Sequence, residues 1–227
     1  MIEKIQRFGF VVGISACAYQ IWTAMGVFLA TDSAGSVYSE AGIESLLPPL
    51  DRTDIGTLLV TFTLIAVYVI YSIATYILYR NAERRIPDFK LLIEKSRTSA
   101  VWSWFIPFGF LFLPRRRLSE LERFLIANQE SSSGENSVGR ISKNRNYWWF
   151  SFIGYLVISR LKNPMLDEIA NPDDWADYLN SINGYAIVVA LASILLITSY
   201  VFGFRYFKDL FRMESRLVGV SNLENNS

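Results

Sequence analysis

Three stretches of this chain, residues 8–30, 55–79 and 182–204, run for 23, 25 and 23 positions without one charged side chain. A helix needs about 20 apolar residues to cross the hydrocarbon core of a bilayer, where no water satisfies backbone groups left open by other conformations. Each run therefore predicts a membrane-spanning helix. The composition agrees, with 52% hydrophobic residues, 19% charged residues and a mean hydropathy of +0.25, whereas soluble domains carry roughly 25% charged residues.

Two further apolar runs are harder to place by length. Residues 147–163 begin with Tyr147, Trp148 and Trp149 and stay apolar to Ser159, before Arg160, Lys162 and Pro164. The two Trp suit an interfacial aromatic belt, and Arg160 or Lys162 can snorkel to the opposite headgroups, so this run predicts a short fourth span. Residues 99–113 hold Pro107 near their middle and stop at Pro114, ahead of Arg115, Arg116 and Arg117. Proline removes a backbone donor and breaks a helix, and a run this short favours a re-entrant or interfacial path.

Charge supports the same topology. With four spans and a dipping fifth segment, both termini are cytoplasmic, 19 basic residues lie inside, and only Arg52, Arg160 and Lys162 fall outside or near the fourth run. That is the distribution the positive-inside rule favours. A five-span alternative would export the seven basic residues from Arg115 to Arg145 or invert the rest of the chain.

The fold class expected is thus an all-α membrane protein with four transmembrane helices, a Pro-broken re-entrant or interfacial segment and an amphipathic inner-face helix, forming one integral domain over 1–220. The amphipathic helix is read over 115–128, from Leu118, Leu121, Phe124 and Leu125 at helical spacing. It is expected to lie along the inner leaflet, apolar face down and arginines near anionic headgroups. The serine-rich stretch 129–146 reads as a mobile linker, and 221–227 as a disordered tail. The outer loops, 31–54 with Pro48 and Pro49 and the acidic 164–177, read as irregular excursions. Asp173, Asp174 and Asp177 suit a turn into the last helix better than a cation site.

Several chemistries lose their footing. No His is present, and a single Cys permits no intrachain disulfide. A net charge of +1 provides no overall basic field for nucleic acid. No phosphate loop, nucleophile elbow or zinc spacing occurs, so no catalytic residue, metal ligand or cofactor is assigned. Gln20 is the one long polar side chain well inside the three long runs, which argues against a coupled pump. Gly9, Gly13 and Cys17 form a small-residue stripe suited to close helix packing within the chain.

The centre of the chain carries an ordered set of landmarks: Arg80-Asn81-Ala82 at a helix end, Trp102-Ser103-Trp104-Phe105-Ile106-Pro107, then Pro114, Glu120-Leu121, and Trp148-Trp149. This order, over 55–160, resembles a bacterial family of multi-pass membrane proteins known as a domain of unknown function. The Arg triplet and Phe124 depart from the pattern, which tends to less charge and a Trp there. The resemblance implies membership and no activity. Read physically, Arg80 and Asn81 suit exposed carbonyls or a lipid phosphate. Trp102 and Trp104 suit an interfacial anchor, and Glu120 is placed to pair with a neighbouring arginine.

The function expected is that of a non-enzymatic accessory or scaffold in a bacterial cytoplasmic membrane. Its basic inner face would contact the lipid bilayer through anionic headgroups, or a protein partner. A small channel or transporter built around Pro107 and a lipid-modifying enzyme are the alternatives.

Overall fold

The computed structural model describes residues 2–34, 39–85, 89, 97–106, 111–127, 135–160 and 175–224. They form six helices: α1 (Ile2–Ser33), α2 (Glu40–Arg85), α3 (Arg97–Trp102), α4 (Leu113–Ala127), α5 (Glu135–Ile158) and α6 (Trp175–Glu224). No strand occurs among the described residues. Three helices are long and apolar enough to cross a membrane, through Lys4–Ser33, Ala41–Arg84 and Trp175–Arg216, and they contain the three uncharged runs. Helix α5 takes up the 147–163 run only as far as Ile158, and its first half carries Arg140, Lys143 and Arg145. Pro107 lies outside the described residues, as do Pro164, Asp173 and Asp174.

Local pattern and observed element part company in three places. The outer loop expected over 31–54 is helical from Glu40 onward, with Pro48 and Pro49 inside α2. Those prolines forfeit backbone donors, but Leu46 and Leu50 beside them are buried in a core, and the Thr53 hydroxyl donates to the Pro49 carbonyl at 2.9 Å. The linker expected over 129–146 is helical from Glu135, because Ile141 and Asn144 in that polar stretch and Trp148 just after it are buried at helical spacing. Helix α6 runs on to Glu224, so the tail expected from 221 is helical over its first four residues.

The chain divides into two compact units. The unit formed by Val11–Ile65 and Phe150–Tyr200 has a core of Ala24, Val27, Ala30, Leu46, Leu50, Trp175, Ile182, Ala186 and Val189. Gln20 is fully used inside it: its amide nitrogen donates to Thr57 at 2.9 Å, and its oxygen accepts from Ser193 at 2.8 Å. Thr31 likewise bonds Asn183. Gly13 of the small-residue stripe meets Tyr200, whose ring a Cβ would approach to 2.6 Å, and Cys17 is wholly buried. The opposite faces are apolar too. Trp22, Met25 and Leu29, then Leu58, Phe62 and Ile65, then Ile187, Leu191 and Ile194 are exposed at intervals of three and four. Such exposed apolar faces on helices of this length suit contact with hydrocarbon.

The other unit comprises Met1–Phe10, Ala66–Trp149 and Val201–Ser227. It contains the 19 basic residues that the four-span reading places inside, against 11 acidic ones, whereas the first unit holds 3 basic and 10 acidic residues. Its core is aromatic. Tyr71 stacks on Phe207 with centroids 4.7 Å apart, Trp148 stacks on Tyr206 at 5.8 Å, and Trp104 packs edge-on against Tyr68 at 4.9 Å. The rings meet where α6 carries Gly203, at which a Cβ would lie 2.5 Å from the Tyr71 hydroxyl and 2.9 Å from Trp148. Gly203→Ala is therefore expected to destabilise the protein by about 1–3 kcal/mol through overpacking. Thermal unfolding in detergent checks this, and an unchanged midpoint would show that the rings shift at no cost.

Candidate functional site

Helix α4 begins with Pro114 in its first turn, where the missing N–H is no loss, and the Arg116 N–H donates to the Phe112 carbonyl at 3.1 Å. Leu118, Leu121 and Leu125 are completely buried and Phe124 nearly so. Phe124 meets Phe89 edge-on at 5.0 Å. The apolar face of α4 is thus covered by protein, a correction to the expectation that it lies on the leaflet. The periodicity that marks an amphipathic helix is the same whether lipid or protein covers its apolar side.

Two charged residues share the buried side of this helix. The Arg117 side chain is 7% exposed and lies 2.8 Å from Glu120. Its carbonyl accepts from the Tyr79 hydroxyl of α2 at 2.9 Å. Glu122, 4% exposed in its side chain, pairs with Arg145 of α5 at 2.8 Å and accepts from Tyr206 of α6 at 3.1 Å. Burial pushes the Glu122 carboxyl above its ordinary value, and Arg145 and the Tyr206 hydrogen bond oppose that shift. Nearby, Asn144 of α5 donates to Asp209 of α6 at 3.3 Å, and Arg140 stands 3.6 Å from the same carboxylate. Polar contacts therefore tie α4 to α2, α5 and α6.

Beside this network opens a cleft of about 280 Å³ lined by Phe112, Arg115, Arg116, Ser119, Arg123 and Arg145. Four arginines and one serine thus share its lining. Arg115 is steadied by donating to Asn146 at 3.0 Å, and Arg145 by Glu122 and by Ser142 at 3.2 Å. The surface arginine Arg116 donates to Glu120 at 3.1 Å. No carboxylate lines the cleft among the described residues, and groups of His, Cys, Asp and Glu able to hold a metal are absent among them. The chemistry on offer is recognition of an anion.

Two residues of the ordered set read from the sequence stand on the same helix as the cleft arginines without lining the cleft. Pro114 is buried at the start of α4, and Glu120 accepts from both Arg116 and Arg117. A family model described as a domain of unknown function, DUF4328, matches residues 52–211. The chain belongs to this family. The DUF4328 match extends past Trp149 through most of α6, so it includes every residue of the cleft and the Tyr206 and Asp209 partners. No curated protein and no solved structure matches the chain.

The structure disperses the other expected site residues of this DUF4328 protein. Arg80 and Asn81 are half-buried near the end of α2, outside the cleft. Trp102 is 61% exposed, but Trp104 is 2% exposed and sits in the aromatic core, so the two do not form a shared interfacial anchor. Trp148 and Trp149 are each 3% exposed, a correction to the aromatic-belt reading, since a belt residue must reach the headgroups. Of the Arg triplet, Arg115 and Arg116 line the cleft, and Arg117 turns inward. Phe112, Ser119, Arg123 and Arg145 are the lining residues that sequence reasoning did not single out. Arg145 fell within a stretch read as linker, and the spacing of Ser119 and Arg123, four apart on α4 after Arg115 and Arg116, is the signal that could have found them.

Proposed function

We propose that this DUF4328 protein is a non-enzymatic, multi-pass scaffold of a bacterial cytoplasmic membrane whose basic unit engages anionic lipid headgroups, with a protein partner as a further ligand of the same surface. The observation that carries the reading is the charge partition, 19 basic residues in one unit and 3 in the other. Juxtamembrane basic residues gain about 1 kcal/mol each near an anionic leaflet, and the positive-inside rule puts such a unit at the cytoplasmic side. Three spans alone would leave the termini on opposite sides. A fourth crossing by α5 returns both to the basic side, and its exposed Phe150 and Val157, seven residues apart on one face, suit contact with lipid.

Cysteine labelling tests the topology. With Cys17 replaced, single cysteines at Ser99, Ser119 and Ser132 are expected to react with an impermeant reagent from the cytoplasmic side only. Labelling of the Ser119 position from outside would impose a fifth crossing of 99–113 and remove the basis for an inner-face role. The lipid preference is read separately, as retention of phosphatidic acid over phosphatidylcholine by the purified protein. Equal retention of the two would sink the anionic-lipid reading.

A further inference from the structure

We infer that the arginine cleft is a specific phosphate-binding site, which takes the phosphate group of an anionic lipid headgroup or of a small free phosphate ester. The inference deepens the anionic-lipid reading and rests on it for the lipid source alone. Diffuse electrostatic attraction asks only for net charge. The cleft has more than that, because Arg115, Arg116, Arg123 and Arg145 line one space from two helices, with Ser119 among them. Guanidinium groups present paired N–H donors in a geometry that matches phosphate oxygens. Glu120 and Glu122, outside the lining, pair with Arg116 and Arg145 and offset part of the cleft's charge, and the positive charge that remains attracts an anion.

Preorganisation separates this cleft from a patch of surface arginines. Arg145 is 14% exposed and held on Glu122, so one of its faces is anchored while the residue still lines the cleft. Arg115 is held by Asn146. Two of the four cations are thus oriented before any ligand arrives, which removes part of the ordering cost of binding. The cleft volume of about 280 Å³ lies at the small end of ligand pockets and suits a phosphate with a compact substituent. Phe112, 69% exposed, supplies an apolar wall on which the carbon side of an ester can rest while its oxygens face the arginines.

The test compares two double variants that remove equal charge from the full-length protein in phosphatidylcholine nanodiscs. Arg116→Gln with Arg123→Gln strips exposed cleft residues, and Lys143→Gln with Arg216→Gln strips exposed residues that do not line it. The probes are short-chain phosphatidic acid and inorganic phosphate, with binding read by calorimetry. The cleft pair is expected to weaken binding by more than about tenfold, since charge-assisted hydrogen bonds are lost, and the control pair by less than about threefold. Ser119→Ala should weaken it a few-fold. Cleft-dependent binding of inorganic phosphate identifies a free-phosphate site, and cleft-dependent binding of the lipid alone identifies a headgroup site. Equal weakening by the two double variants would overturn the cleft and leave the anionic-lipid reading standing, whereas phosphate binding without lipid preference would do the reverse. Failure of the wild type to bind either probe overturns the cleft outright.

Discussion

Replacing Arg145 with methionine should destabilise the folded protein by about 3–5 kcal/mol, the usual consequence of removing one partner from a buried ion pair. Glu122 would keep its burial and its Tyr206 hydrogen bond but lose the cation 2.8 Å away. The effect should depend on pH in a defined sense. Burial holds the Glu122 carboxyl above its ordinary value of 4.5, with Arg145 pulling it down. A carboxyl raised on folding binds its proton more tightly in the folded state. Its contribution is therefore full below about pH 4.5 and is lost as pH rises through the folded value. Removing Arg145 raises that folded value further, so the deficit of the variant should be small in acid and grow toward neutrality. Unfolding midpoints of the wild type and Arg145→Met across this range decide the matter. A deficit that does not change with pH would mean that Glu122 is not the group left stranded. The double variant Glu122→Leu with Arg145→Met should recover much of the loss, because replacing both ions by apolar groups is often close to neutral.

Trp148→Ala should cost a similar amount, about 3–5 kcal/mol, by a different route. Trp148 touches Trp104, Trp149, Tyr206 and Phe207, with ring centroids between 5.4 and 6.0 Å, and Gly203 lies against its edge. Deleting the indole removes transfer energy and leaves a cavity among rings that belong to several helices and cannot close together easily. The loss should be insensitive to pH, which distinguishes it from that of Arg145→Met in the same experiment. Enlarging residue 203 in the Trp148→Ala background should still be costly, since the Tyr71 hydroxyl would remain 2.5 Å from a Cβ there. If Trp148→Ala unfolds at the wild-type midpoint, the residue faces lipid as a belt residue would, and the buried aromatic core is wrong.

Much of the architecture is legible in the sequence. The uncharged runs at 8–30, 55–79 and 182–204 lie within the three helices able to cross a membrane, because chain length and the exclusion of charge act residue by residue. Helix α4 was legible from the spacing of Leu118, Leu121 and Leu125, and the Arg116–Glu120 pair from its four-residue offset. What covers that helix was not legible, because burial against lipid and burial against protein leave the same periodic mark. The helical character of 135–146 was hidden for a related reason. Its polar composition suits a linker, and only the contacts of Ile141, Asn144 and Arg145 with the rest of the unit make it an ordered helix.

The sequence by itself determined where this chain can cross a bilayer, how its basic residues divide and which family it belongs to. Each of these is a property of the residues read in order along the chain. The tertiary structure alone decided that Glu122 meets Arg145 across 23 residues and Asn144 meets Asp209 across 65. It also decided that arginines from two helices surround one cleft. Such pairings depend on which helix faces reach each other after packing, and no periodicity within a single helix records the identity of its neighbour.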